Sequence, residues 1–148
     1  MKVVLQRVNR SSVSIEGTTI AEIGIGLLCY VSYAPSDNDE TMKWVSAKIA
    51  DLRIFPGLDG KDRFDRSVRE IDGSSLVVSN FTLHGDCRKG RRPDFMNAAT
   101  PQVARGMHHR FIEILKETGV SVQDGRFGAH MLVESVNDGP VTFIFEKE

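Results

Sequence analysis

Near its end the chain places a proline where a strand should run. Two strand-like runs, residues 130–136 and 141–146, are joined through Asn137-Asp138-Gly139-Pro140. Proline has no N–H to give a sheet ladder and is confined to edges, turns and bulges. A Gly-Pro bond is also one of the few that reaches the cis form at modest cost, about 0.5–1 kcal/mol. Asp-Gly and Gly-Pro are ordinary turn dipeptides, and alone they predict a hairpin turn here. A rigid elbow of this kind also points two backbone carbonyls in a fixed direction, which suits it to reading the shape of a ligand.

The rest of the chain alternates strand and helix signals. Val3, Leu5 and Arg7 fall on one side of a first strand, and Val4, Gln6 and Val8 on the other. Residues 12–16 and 18–23 read as short strands of a hairpin around Gly17. Residues 25–33 form a mostly apolar run, as expected of a strand buried on both faces. Ser36-Asp37-Asn38-Asp39 then suits a helix start, with Met42, Val45, Ile49 and Leu52 at helical spacing behind it. Leu58-Asp59-Gly60-Lys61 reads as a turn, and residues 74–80 as a strand with Val77 and Val78 in the core. Thr100-Pro101 opens a second helix, whose predicted apolar stripe is Val103, Met107, Phe111 and Leu115. The expectation is one α/β domain over residues 1–148, mainly antiparallel strands with two helices.

Composition narrows the function classes. At 148 residues the chain can bury a single real core, and a net charge of −1 gives no global reason to bind nucleic acid. Any such contact must come from a local patch, and Arg88, Lys89, Arg91 and Arg92 supply one. A solvated loop is the usual meaning of such a run. Cys29 and Cys87 show no metal-type spacing; Cys29 reads as a buried thiol, and Cys87 lies in a polar loop. The first residues lack the apolar core of a signal peptide, and the longest apolar stretch, around residues 23–33, is too short to span a bilayer. The expected setting is soluble and cytoplasmic, without a membrane partner.

Few side chains advertise chemistry. There is no Gly-x-Ser-x-Gly elbow and no phosphate-cradling Walker loop. His108 and His109 are helix neighbours that diverge by about 100° and cannot share one metal, so both are expected at the surface. A dyad of His84 with Thr82 would need residues two apart on a strand to touch. Thr82 itself reads, on its own, as a β-branched strand residue, with no convincing base beside it to make a nucleophile.

Two segments read together change this picture. Ser79-Asn80-Phe81-Thr82-Leu83 and Asn137-x-Gly139-Pro140-x-Thr142 resemble the signature motifs of the D-aminoacyl-tRNA deacylases, the D-tyrosyl-tRNA deacylase family. The similarity runs through Leu5-Gln6-Arg7-Val8, Gly90-Arg91-Arg92-Pro93-Asp94-Phe95 and Gly125-Arg126-Phe127-Gly128-Ala129. It implies a barrel-like deacylase fold, no metal or organic cofactor, a homodimer, the acceptor end of aminoacyl-tRNA as substrate, and no DNA partner. It implies further that Thr82 and Phe81 are catalytic, Phe81 through a backbone N–H that would serve an oxyanion. Whether the threonine attacks or the terminal 2′-hydroxyl assists differs between accounts of the family; lacking a visible base, we favour assistance with Thr82 positioning.

By the same resemblance Ser79, Asn80, Phe127, Met131 and Arg7 belong to substrate binding, with Arg7 steadying the elbow. Gly139 and Pro140, joined by a cis bond and inserted into the partner's site, would reject L-amino acids by backbone collision. D-amino acids and glycine would pass, so glycyl-tRNA, including glycine mischarged on tRNA-Ala, is an implied substrate. Arg88, Lys89, Arg91 and Arg92 would touch tRNA phosphates. One departure stands out: Asn80 replaces the family's glutamine and is one methylene shorter, which puts its polar contact to substrate in question. Two rivals follow, a relaxed filter with a trans Gly-Pro and a binding module inactivated at Asn80.

Overall fold

The computed structural model describes residues 1–59 and 64–147. Within it the N-terminal alternation extends much further than the sequence suggests. Strand β1 is continuous over Lys2–Ile15, merging what the sequence divides into two strands. Its C-terminal part forms the expected hairpin with β2, Thr18–Ile23, antiparallel. Glu16 and Gly17 turn the hairpin with φ of 49° and 77°, the pair of left-handed residues that tight hairpins favour. The N-terminal part of β1 pairs antiparallel with β3, Gly26–Ser32.

Helix α1 spans Asp39–Asp51 and is capped as the sequence predicts: the Asn38 side chain accepts from the N–H groups of Glu40 and Thr41, both at 3.0 Å. Met42, Val45 and Ile49 are buried, and Leu52 caps its end. Of the turn predicted at Leu58-Asp59-Gly60-Lys61, the last two residues lie outside the described residues. Strand β4, Ser74–Ser79, runs parallel to β3 and carries Val77 and Val78 into the core. A 3₁₀ turn, Phe81–His84, follows it directly, so Thr82 is not a strand residue.

Helix α2, Pro101–Glu117, begins at Thr100 and Pro101 as expected; of its predicted stripe Phe111 and Leu115 are fully buried and Met107 packs against the core, whereas Val103 does not. Val103 is 48% exposed; the inner face is Ala104, His108, Phe111, Ile112, Ile114 and Leu115. His108 therefore corrects the expectation of a surface histidine, while His109 is exposed. After α2 comes a strand the sequence did not announce: β5, Ser121–Asp124, parallel to β4.

The elbow region departs most. The last two strand runs do not pair with each other. They form one strand, β6, Leu132–Glu146, which lies antiparallel along the whole of β1. Gln6 pairs with Thr142 and Val8 with Asn137, so residues 138–141 loop out opposite Arg7 as a large bulge. The Gly139–Pro140 bond within that bulge is cis.

The sheet order is β2-β1-β3-β4-β5, with β6 on the free side of β1. The helices cover one face, where Leu5, Leu27, Cys29, Ile49, Phe111 and Leu115 share a core. On the other face β2 also reaches across to β4 and β5, so the sheet curls toward a barrel over Val8, Val13, Ile23, Leu28, Leu76 and Val78. Cys29 is fully buried, which pushes its thiol up to about 12, and Cys87 is exposed.

Candidate active site

A cavity of about 750 Å³ opens where β3, the 3₁₀ turn, the start of α2 and the residue 127–131 loop meet. That size suits a small organic ligand or the end of a larger one. Ser79, Asn80, Phe81, Phe127 and Met131 all line it. Segments nearly fifty residues apart in sequence are thus brought to one place by the β4–β5 pairing, which carries residues 125–131 past the end of β4. The Gly125 N–H donates to the Val77 carbonyl at 3.0 Å and fixes this passage.

The 3₁₀ turn is held at both ends. The Asn80 N–H donates to the Val31 carbonyl at 2.7 Å, and His84, which is buried, is 2.6 Å from the Ser32 hydroxyl through Nδ1. Burial, with Lys2 and the terminal ammonium adding to it, lowers the His84 pKa from its ordinary 6.5. The Asn80 side chain folds back on the turn, accepting the Thr82 hydroxyl at 2.5 Å and the Thr82 N–H at 3.3 Å. His84 and Thr82 therefore form no dyad: each is paired elsewhere. Phe81 opens the turn, and a leading N–H of a helical turn has no acceptor within it. Its ring lies edge-on to Phe95 at 5.0 Å.

Several lining residues were not singled out from the sequence. Tyr33, Arg105 and Ala104 all face the cavity. Arg105 sits over the Phe127 ring, 5.4 Å from its centre. Tyr33 ends an apolar run, and its phenol meets His108, a contact across 75 positions that no local pattern announces.

Arg7 and the elbow lie apart from this cavity within one chain. The Arg7 side chain, 4% exposed, places Nε 2.9 Å from the Asp138 carboxylate and 3.1 Å from the Asp138 carbonyl. Its Nη1 donates to the Ile54 carbonyl at 2.6 Å, and Asn137 returns a bond to the Arg7 carbonyl at 3.1 Å. A Cβ added at Gly139 would collide with the Asn137 side-chain oxygen and lie 2.9 Å from the Val141 nitrogen, so no side chain fits there as the bulge stands.

The basic run projects from a loop pinched by paired backbone bonds between Asp86 and Asp94, at 2.7 and 3.0 Å. Arg88, Lys89, Arg91 and Arg92 are all exposed. Arg88 is clamped on Asp86, with Nη2 at 2.6 Å, and its hydrogen bonds hold the Asp86 carboxyl down to about 2. Among the described residues no group of His, Cys, Asp and Glu is arranged to hold a metal ion.

The family model described as D-Tyr-tRNA(Tyr) deacylase matches residues 4–146. The chain belongs to this deacylase family. Curated relatives named D-aminoacyl-tRNA deacylase include one from Trichodesmium erythraeum (strain IMS101), 49% identical over 100% of this chain and 97% of the relative. Another, from Carboxydothermus hydrogenoformans, is 49% identical over 99% of each. A solved structure described as c-Myc DNA Unwinding Element Binding Protein superposes with a TM-score of 0.93 at 37% identity, covering 100% of this chain and 99% of that one. A probable eukaryotic D-amino acid tRNA deacylase matches with a TM-score of 0.84 at 17% identity over 97% of both chains, a likeness of fold. Among the described residues no helix is long and apolar enough to cross a membrane.

Proposed function

We propose that this deacylase-family chain hydrolyses the ester joining a D-amino acid to the 3′ end of tRNA, releasing both. One observation supports this reading above the rest: Ser79, Asn80, Phe81, Phe127 and Met131 line a single cavity large enough for an aminoacyl-adenosine end. The Phe81 N–H stabilises the oxyanion as it forms. Thr82 positions the ester and does not attack it, because its hydroxyl proton is given to an amide that cannot act as a base. The terminal 2′-hydroxyl assists hydrolysis from the substrate side.

Selectivity comes from a second copy of the chain. Gly139 and Pro140 lie outside the cavity of their own protomer, and Arg7 fixes the bulge that carries them. In a homodimer the elbow enters the partner's cavity, where its carbonyls exclude an L side chain and tolerate D-amino acids and glycine. Glycyl-tRNA, including glycine mischarged on tRNA-Ala, is accordingly a substrate. Arg88, Lys89, Arg91 and Arg92 hold tRNA phosphates and fix position without reading sequence. The work is done on the cytoplasmic tRNA pool.

The test uses purified protein with matched D-tyrosyl-, L-tyrosyl- and glycyl-tRNA, following loss of the ester. Cleavage of the D and glycyl forms with the L form spared is expected. Binding without cleavage of any of them would overturn the enzyme reading. Cleavage of the L form as well would remove the filter from the elbow.

A further inference from the structure

One wall of the cavity is braced by a hydrogen-bond chain, centred on a buried histidine, that neither the ester chemistry nor the elbow uses. Tyr33 follows β3, His108 lies on α2 and Asp124 ends β5, so three elements meet at one imidazole. The Tyr33 hydroxyl is 2.9 Å from His108 Nδ1, and Asp124 Oδ1 is 2.8 Å from Nε2. His108 is 1% exposed and Tyr33 3%. Burial, with Asp124 and Asp37 nearby, raises the Tyr33 pKa well above its ordinary value, so the phenol keeps a proton to donate. A carboxylate can only accept, so Nε2–H donates to Asp124, and the phenol faces Nδ1 on the other side of the ring. Each bond fixes the other, and together they lock the ring's orientation.

The locked ring supports Phe127, whose ring centre is 5.7 Å from that of the imidazole at an interplanar angle of 45°. Arg105 lies over the same Phe127 ring, and Tyr33, Arg105 and Phe127 all line the cavity. Phe81 and Thr82 sit on a different element, the 3₁₀ turn after β4.

We propose that His108, clamped between Tyr33 and Asp124, is a positioning residue that sets the Phe127 ring and so the grip of the cavity on the nucleobase end of its substrate. Aromatic rings hold bases by stacking, an interaction that depends on how the ring is presented. The inference rests on the cavity being the seat of an aminoacyl-tRNA end. It predicts an effect on binding that is separate from the cleavage step, because the network meets the Phe127 ring, whereas Phe81 and Thr82 belong to another element.

The test uses the full chain in steady-state hydrolysis of D-tyrosyl-tRNA, with adenosine 5′-monophosphate titrated in parallel by NMR. Asp124→Ala and Tyr33→Phe are expected to raise KM about tenfold, within the range of one weakened base stack, with kcat within about twofold. Asp124→Asn keeps an oxygen that accepts from Nε2–H and should leave KM near that of the parent. The nucleotide's Kd should follow the same order, with the Phe127 amide among the shifted signals. A fall in kcat at unchanged KM would overturn the proposal, as would unchanged KM and unchanged nucleotide binding in folded variants. If Asp124→Ala does not fold, Tyr33→Phe, which removes a single hydroxyl, decides alone. A parent protein that cleaves no aminoacyl-tRNA yet binds the nucleotide, and loses that binding in the variants, would sink the enzyme reading and keep the positioning role.

Discussion

The Thr82 hydroxyl donates to the Asn80 side-chain oxygen at 2.5 Å, two residues back along the same turn. That oxygen also accepts the Thr82 N–H, so one amide both caps the turn and aims the hydroxyl. The shorter side chain at position 80 thus has a job within the loop, independent of any bond to substrate. Two side chains that share one bond act as a unit, and their removal is not additive. Asn80→Ala and Thr82→Val are each expected to lower kcat/KM on D-tyrosyl-tRNA about tenfold, the equivalent of one hydrogen bond near 1.4 kcal/mol. The double variant should lose about as much as either single one. A loss of about a hundredfold in the double variant, read from initial rates, would mean that the residues act independently.

Arg7 ties the bulge to the rest of the sheet through three oxygens: the Asp138 carboxylate, the Asp138 carbonyl and the Ile54 carbonyl. A lysine carries the charge but lacks the fork that reaches both sides. Arg7→Lys should therefore cost about 1–3 kcal/mol of stability, a fall of several degrees in Tm. If the bulge carries the chiral filter, the same variant should cleave L-tyrosyl-tRNA faster relative to the D form. A lower Tm with unchanged D-over-L preference would separate Arg7 from selectivity.

His84 gives a pH signature. Its pKa is lowered from 6.5, first by burial and then by Lys2 and the terminal ammonium, with Asp37 and Glu146 opposing. The unfolded chain therefore binds a proton at a higher pH than the folded one, and folding stability rises with pH across that interval. Stability from this group is complete above about pH 6.5 and declines as the pH falls below it. Urea unfolding at a series of pH values from neutral downward should show this decline, and His84→Gln should flatten it. An unchanged slope in the variant would assign the acid sensitivity to other groups.

What the sequence made legible follows from range. The caps at Asn38 and at Thr100-Pro101 are local bonds and preferences, and they stand where predicted. The strand runs were visible as alternation, but not their continuity or partners. Gly139-Pro140 read as a turn because its residues favour turns; only the register of β6 along β1 makes it a bulge. Strand β5 offers a single apolar residue, Val122, and owes its existence to the edge of β4. The α2 stripe was read at a spacing of four, which kept Phe111 and Leu115 but took in the exposed Val103 and missed Ala104 and His108. His108 is satisfied inside by Tyr33 and Asp124, partners 75 and 16 positions away. The motif residues around the cavity were legible by resemblance, whereas the network behind Phe127 exists only once three elements are packed.

The basic loop offers the sharpest division between neighbours. Arg88 already meets Asp86 through Nε at 2.9 and 3.1 Å and through Nη2 at 2.6 Å. Much of its charge is therefore answered within the protein, while Arg91 and Arg92 are exposed on the same loop. Each lysine or arginine that neutralises a tRNA phosphate releases counterions and adds about 0.7–0.9 to the slope of log affinity against log salt. Arg91→Ala and Arg92→Ala should each reduce that slope by about this amount, and Arg88→Ala by less. Asp86→Asn removes the internal partner and should make the slope steeper by freeing Arg88 for the backbone. KM for D-tyrosyl-tRNA measured across a potassium chloride series reads all four variants. Parallel lines for every one of them would place the tRNA backbone away from this loop, and a large effect of Arg88→Ala alone would mean that Asp86 yields its arginine on binding.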